Sequence, residues 1–418
     1  MVSKFKPISI SLSPNVQKDD VKLAKKLLFQ PWKWKGGNEA RNFEQNFARW
    51  LGVKYAFSFN SGRSALYAIL KALELPEHSN VMLQAFTCNA VVNPILWEKL
   101  NPVYVDCSKE DFNIDLTDLE KKLAPENKVL IVQHTFGMPA NMQAIERLAA
   151  DHGLTIIEDC AHALGAEYGG RKVGTFGKAA FFSFSRDKVI SSVYGGMATT
   201  NDDALGKKLE QLQKEFGYPS LFWTRQQILH PILLSYIILP LYNFLDLGKL
   251  FLIFSQWLHV LSKAVSWKEK RGLRPDYFPK ALPNALAIMA QHQFSKLEVF
   301  NQHRQEVAKQ YYQELQGTSF LLPKQFENRN NIFLRFAVRH QKAHEIIYEA
   351  WHNQNILLGD WYTTPIAPDD TKFDAMKYKM GMCPNAESLA KETLNLPTHI
   401  TIGEKEAKRI TDFLKKYK

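Results

Sequence analysis

Cysteine is scarce. The 418 residues hold four, Cys88, Cys107, Cys160 and Cys383, and none belongs to a C-x-x-C pair. That excludes a disulfide framework and a thiol redox motif, and no Cys/His cluster has zinc-ligand spacing, so no metal is expected. The opening stretch MVSKFKPISI lacks the apolar core of a signal peptide, which leads us to expect a cytoplasmic protein. Low-complexity tracts and internal repeats are missing too, which speaks against a linker or a solenoid. Acidic residues are outnumbered, 42 against 53 basic ones, for a formal charge of +11. The surplus suits a phosphorylated or nucleotide-bearing substrate, nucleic acid or an anionic membrane, and by itself chooses none of them.

What is present is ordinary for a folded chain, 45% hydrophobic and 23% charged. The length calls for two domains, or one large one with an appendage. After the Trp- and Gly-bearing loop PWKWKGG, a helical pattern covers 40–51 and a strand-like run covers 55–59. Asn60-Ser61-Gly62 breaks the run before a helical stretch over 64–73. Apolar strands recur at 81–83, 103–105, 130–132, 155–157 and 179–185, with helical segments between several of them. Such β-then-α repetition predicts a mainly parallel sheet covered on both faces. From about Gln291 longer amphipathic helices and a few strands, such as 332–338, predict a smaller C-terminal α/β domain. The expected division is 1–218, an apolar helical insert over 219–265, and 266–418.

The insert stands apart. Between Arg225 and Asp246 the chain reads QQILHPILLSYIILPLYNFL, without a charged residue, and LFLIFSQWLHVLS follows Lys249. Pro231 and Pro240 are expected to interrupt the first run. Three readings stand: a hairpin over 228–261 dipping into one membrane leaflet, a buried or dimer-interface insert, and a spanning helix. The first would make the protein peripheral on the inner face of a membrane.

The chemistry concentrates after Thr155, in TIIEDCAHALGAEYGGRKVGTFGKAAFFSFSRDKVISSVYGG. An apolar strand ends in Glu158-Asp159, and α/β sheets place active groups at strand C-termini. An aspartate there can hold a ring nitrogen protonated and so turn a pyridinium into an electron sink. Lys188, after the Phe-rich strand, can form a Schiff base if a confined pocket lowers its pKa. Upstream, Ser61, Gly62 and Arg63 begin a helix whose free N–H groups and dipole attract an anion.

These motifs resemble those of the DegT/StrS-type sugar aminotransferases, a fold-type I family dependent on pyridoxal phosphate. The family pattern EDAAQ/H…GxxVG…FSFxxxK…GG is matched here by Glu158–His162, Lys172–Gly174, Phe182–Lys188 and Gly195-Gly196. The resemblance implies that Lys188 is the Schiff-base lysine and proton carrier, that Asp159 pairs with the pyridinium nitrogen, and that His162 lies beside the ring near its 3-hydroxyl. It implies that Ser183 binds the cofactor phosphate and that 59–70 matches the phosphate-binding SGTAAL segment, with Arg63 in place of a small residue. His134–Met142, the Trp361-Tyr362 loop and 382–402 resemble further family segments.

Three departures are visible. The aromatic residue that usually covers the cofactor face is replaced by Cys88 in LQAFTCNAV, with Phe86 two residues earlier. The segment that reaches the neighbouring subunit's phosphate reads Gly272-Leu273-Arg274-Pro275-Asp276, which makes Arg274 the candidate. The apolar insert has no place in the usual pattern. The family implies a homodimer and no nucleic-acid partner. It also implies transfer of an amino group, with glutamate as donor, to a keto sugar, usually nucleotide-linked, in surface polysaccharide or amino-sugar biosynthesis. The rival readings are dehydration or elimination on a keto sugar, for which some relatives carry His at the lysine position, and transfer to a lipid-linked acceptor.

Overall fold

A computed structural model describes residues 7–417. Its centre is a seven-stranded sheet in the spatial order Tyr55–Phe59, Gly196–Thr200, Ala179–Ser183, Thr155–Asp159, Asn127–Gln133, Asn80–Gln84, Asn101–Val105. All neighbours pair parallel except Gly196–Thr200, which runs antiparallel to both its partners. The central strands are buried along almost their whole length, which explains their unbroken apolar runs. The sheet is the mainly parallel one expected.

Six helices matter below: α1 (Lys18–Leu28), α2 (Gly62–Ala72), α3 (Asn89–Trp97), α4 (Leu221–Leu233), α5 (Leu247–Trp257) and α6 (Leu297–Leu315). α2 starts two residues before the expected Ser64, because the Ser61 side chain caps it and accepts from Ser64 N at 3.0 Å. The strand expected over 332–338 forms over Arg335–Arg339, antiparallel to Thr393–Pro397. Phe333, at φ 47°, interrupts it on the N-terminal side. One hydrophobic cluster includes Leu66 and Ile69 of α2 together with Phe336 and Leu394, so the C-terminal elements share the core of the sheet.

In the insert, α4 runs through Pro231 and continues as a π-turn, Leu234–Ile238, so that proline does not end the helix as expected. Pro240 lies in the turns that lead to α5. No helix among the described residues is long and apolar enough to cross a membrane, which overturns the spanning reading. One side of the insert is buried: Ile228, Leu234, Ile238 and Leu261 lie within the protein.

Candidate active site

The C-terminal ends of the parallel strands open onto a cavity of about 510 Å³. Side chains alternate along a strand, so Glu158 and Asp159 face opposite ways. Glu158 points inward and is consumed structurally, accepting from Gly174 N, Phe176 N and Gly177 N at 2.7 to 2.8 Å and pairing with His134 at 3.1 Å. His134, Glu158 and Cys160 come close enough to suggest a metal cluster, but these four hydrogen bonds already occupy the carboxylate. Asp159 faces the cavity. Its Oδ1 accepts from Ala161 N at 2.9 Å, and no cation lies within ion-pair distance among the described residues. Burial pushes its carboxyl up to about 6, opposed by the Ala161 hydrogen bond and by Lys188 and His134.

Lys188 lies across the same cavity, partly buried, with Nζ 4.5 Å from the centroid of the Trp361 ring. Burial lowers its amine to about 8, with Arg335 adding repulsion against the pull of Cys88, Asp159 and Asp187. Roughly a tenth of the amine is therefore neutral at pH 7, far more than for an ordinary lysine, and the neutral form is the nucleophile. The Arg335 guanidinium stacks on Trp361 at 3.3 Å and makes no ion pair among the described residues; burial depresses it to about 10.

His162 stacks on Trp361, ring centroids 5.1 Å apart. Burial pushes its pKa well below the ordinary histidine range, so the ring is neutral. Its Nδ1 accepts from Phe136 N at 3.3 Å, which leaves the proton on Nε2, 3.4 Å from the Tyr362 hydroxyl.

Ser61, Gly62, Arg63 and Ser183 meet at another wall of the cavity. A Cβ on Gly62 would lie 3.0 Å from Ser183 Cβ, so glycine sets that close approach. The first N–H groups of α2 have no intrahelical partners. The Arg63 side chain forms a buried ion pair with Glu269 and donates to Ala264 O at 3.1 Å. It contributes its backbone to this wall rather than a free guanidinium. Cys88 lines the cavity, whereas Phe86 is fully buried behind it, edge-on to Tyr362 at 5.4 Å. Phe86 therefore cannot cover a bound ring; the short Cys88 side chain leaves that face open. Arg274 is exposed outside the cavity and donates to Tyr67 OH at 3.1 Å.

Residues that sequence reasoning passed over hold the lysine. Asn15 Nδ2 donates to Lys188 O at 2.7 Å and Val189 O at 3.1 Å. Arg304 of α6, fully buried, donates to Asn15 Oδ1 at 3.0 Å and Val189 O at 2.9 Å. A cation on the apolar face of an amphipathic helix was the available signal for Arg304; Asn15 offered none.

Pyridoxal phosphate fits these walls. A buried carboxylate without a cation awaits a charged N–H, a depressed lysine awaits a carbonyl, and a serine-lined helix start awaits an anion.

Comparison with known proteins follows the same line. A sequence model of the DegT/DnrJ/EryC1/StrS aminotransferase family matches residues 14–228 and 277–415. The UDP-N-acetyl-3-dehydro-alpha-D-glucosamine 3-aminotransferase of Acidithiobacillus ferrooxidans is 27% identical over 381 residues, covering 91% of this chain and 89% of that protein. Helicobacter pylori PseC, an aminotransferase involved in pseudoaminic acid biosynthesis, superposes with a TM-score of 0.76 at 22% identity over 98% of this chain and 99% of its own. DesV of S. venezuelae, solved with a ketimine intermediate, gives 0.74 at 23% identity over 96% and 94%.

Proposed function

The chain belongs to the DegT/DnrJ/EryC1/StrS aminotransferase family, dependent on pyridoxal phosphate, and from that premise we propose that it transfers an amino group from glutamate to a nucleotide-linked keto sugar. The observation that carries the reading is the pairing, in one cavity, of a lysine lowered to about 8 with a buried carboxylate that lacks a cation. The nucleotide sugar is supported by the A. ferrooxidans relative, named for a UDP-linked substrate, and by the basic surplus of the chain.

When bound, the cofactor supplies an electrophilic carbon and an electron-withdrawing ring. Ser61, Ser183 and the N–H groups opening α2 hold its phosphate. Asp159 holds the proton on its ring nitrogen, and the partnerless carboxylate is stabilised in turn. Lys188 Nζ would hold the aldehyde carbon until the donor's amine displaces it, and the freed amine would then carry a proton from the donor's α-carbon and return one to the sugar carbon. Neutral His162 directs its Nε2–H toward Tyr362 and keeps the cavity wall uncharged. Arg335, a buried cation beside Trp361, is the group placed to meet the donor's carboxylate. A homodimer belongs to the same proposal, with exposed Arg274 as the residue that would reach the partner's site.

The test is an acceptor screen with labelled glutamate. Stoichiometric transfer of the label to a nucleotide keto sugar supports the reading. Loss of a hydroxyl from the sugar without consumption of donor would establish dehydration instead, against the presence of Lys rather than His at 188.

A further inference from the structure

The family match stops at 228 and resumes at 277, which leaves most of the apolar insert outside the shared pattern. Its outer helix, α5, is apolar on its outward face as well as on its inward one, where half-buried Phe251 and Leu252 pack against Leu234, Ile238 and Leu261. Core-facing helices turn their apolar stripe inward. In α5 the buried positions are Gly248 and Ser255. A Cβ on Gly248 would lie 2.3 Å from Ile238 O, so the helix backbone rests directly on the preceding turn. The stripe at helical spacing faces out: Leu250, Ile253, Phe254 and Trp257 are exposed by 58%, 64%, 55% and 70%. Tyr236, Leu245 and Leu258 extend it. Such a patch is larger than soluble surfaces ordinarily leave uncovered.

Cations rim it. Arg225, Lys263 and Arg271 are exposed and form no ion pair among the described residues. Lys25 of α1 lies over the Tyr236 ring at 4.1 Å, and exposed Phe29 follows one turn later. A second copy seated face to face would bring these like charges together. An anionic surface neutralises them, and tryptophans such as Trp257 favour the boundary between lipid and water.

We propose that residues 234–260 are an interfacial anchor that seats the protein on an anionic lipid bilayer, with the outer face of α5 at the boundary between headgroups and acyl chains. The anchor is tied to the active site. Arg186, two residues before Lys188, donates to Ser262 O at 2.7 Å and Ser262 Oγ at 2.6 Å. Tyr194 OH donates to Lys263 O at 2.5 Å, and Ala264 and Val265 line the cavity. Docking therefore holds one wall of the cavity beside the bilayer. The inference stands apart from the reaction assigned above.

The test is flotation of the full-length, cofactor-loaded enzyme with vesicles of phosphatidylcholine, alone or with added phosphatidylglycerol. The intact protein is expected to float with the anionic vesicles and to stay at the bottom with the neutral ones. Ile253→Ser/Phe254→Ser/Trp257→Ser should abolish flotation with unchanged thermal unfolding and unchanged mass by light scattering. Arg225→Gln, Lys263→Gln and Arg271→Gln should each weaken it about fivefold. Absence of flotation by the intact protein, flotation that survives the apolar substitutions, or a mass that falls with them would overturn the proposal, the last by making this face a contact between copies.

Discussion

Asp159 and Lys188 face each other as charged groups held in a poorly solvated cavity, and their titration carries consequences for the folded state. Asp159 is raised to about 6, so its contribution to stability is complete below the ordinary carboxylate range and is lost as pH rises through about 6. Lys188 is lowered to about 8, so its contribution is present above the ordinary lysine range and is lost as pH falls through about 8. Between those values both groups are charged and both oppose folding of the cofactor-free protein. Asp159→Asn keeps the acceptor for Ala161 N and removes the charge. It should raise the stability of the cofactor-free protein near pH 8 by on the order of 1–3 kcal/mol, an effect that vanishes toward pH 4. The same substitution should slow turnover about 100-fold or more. Paired denaturation and rate measurements check both, and a variant that is slow but no more stable would show that the carboxylate is not strained by burial. The sequence pointed to these two residues because type and spacing alone mark them. It misplaced Phe86 because a resemblance in one dimension says nothing of which face a side chain takes in a tight turn; Phe86 has φ 63° and turns into the core. It gave no sign that the Arg63 side chain is taken up in an ion pair, because its partner Glu269 lies far along the chain, beyond the insert.

At the scale of elements, the parallel strands and the body of α2 were legible from apolar runs and from the break at Asn60-Ser61-Gly62, both local signals. The antiparallel strand Gly196–Thr200 was not, since GMATT carries no clear period and forms through pairing on both sides. Its first residue sets the anion wall. A Cβ at Gly196 would lie 2.4 Å from Gly62 N and 2.6 Å from Ser61 O, both backbone atoms that cannot yield cheaply. Gly196→Ala should therefore cost about 3 kcal/mol or more and weaken cofactor binding at least about tenfold, read by chemical unfolding and by titration of the cofactor absorbance. Normal binding would remove α2 from the phosphate site. The lysine loop depends on a longer-range contact, from Asn15. Asn15→Ala leaves Lys188 O and Val189 O without that donor and removes one of the acceptors of buried Arg304, a loss of about 2 kcal/mol or more. Capture of the cofactor should slow while its pH midpoint stays near 8. A shifted midpoint with unchanged speed would mean that Asn15 tunes charge rather than position.

On the scale of the molecule, the cavity is assembled from distant parts of the chain. Residue 15 holds the lysine, 61–63 and 183 form the anion wall, 159 and 162 line another part, and 361–362, with Arg335 stacked on Trp361, are the C-terminal contribution. The sequence anticipated the sheet and most of this set, yet not the tie through Arg63, Arg186 and Tyr194 that joins the insert's stem to the site. Apolar content marks an insert, but only the fold shows where its ends attach. The account rests most heavily on Lys188 as the residue that takes the cofactor. The protein loaded with pyridoxal phosphate can be reduced with borohydride at a series of pH values, digested and mapped by mass spectrometry. The expected result is a single stable adduct on Lys188, formed at a rate that rises with pH and levels off above about 8. An adduct on any other lysine, or none, would contradict the account at its centre.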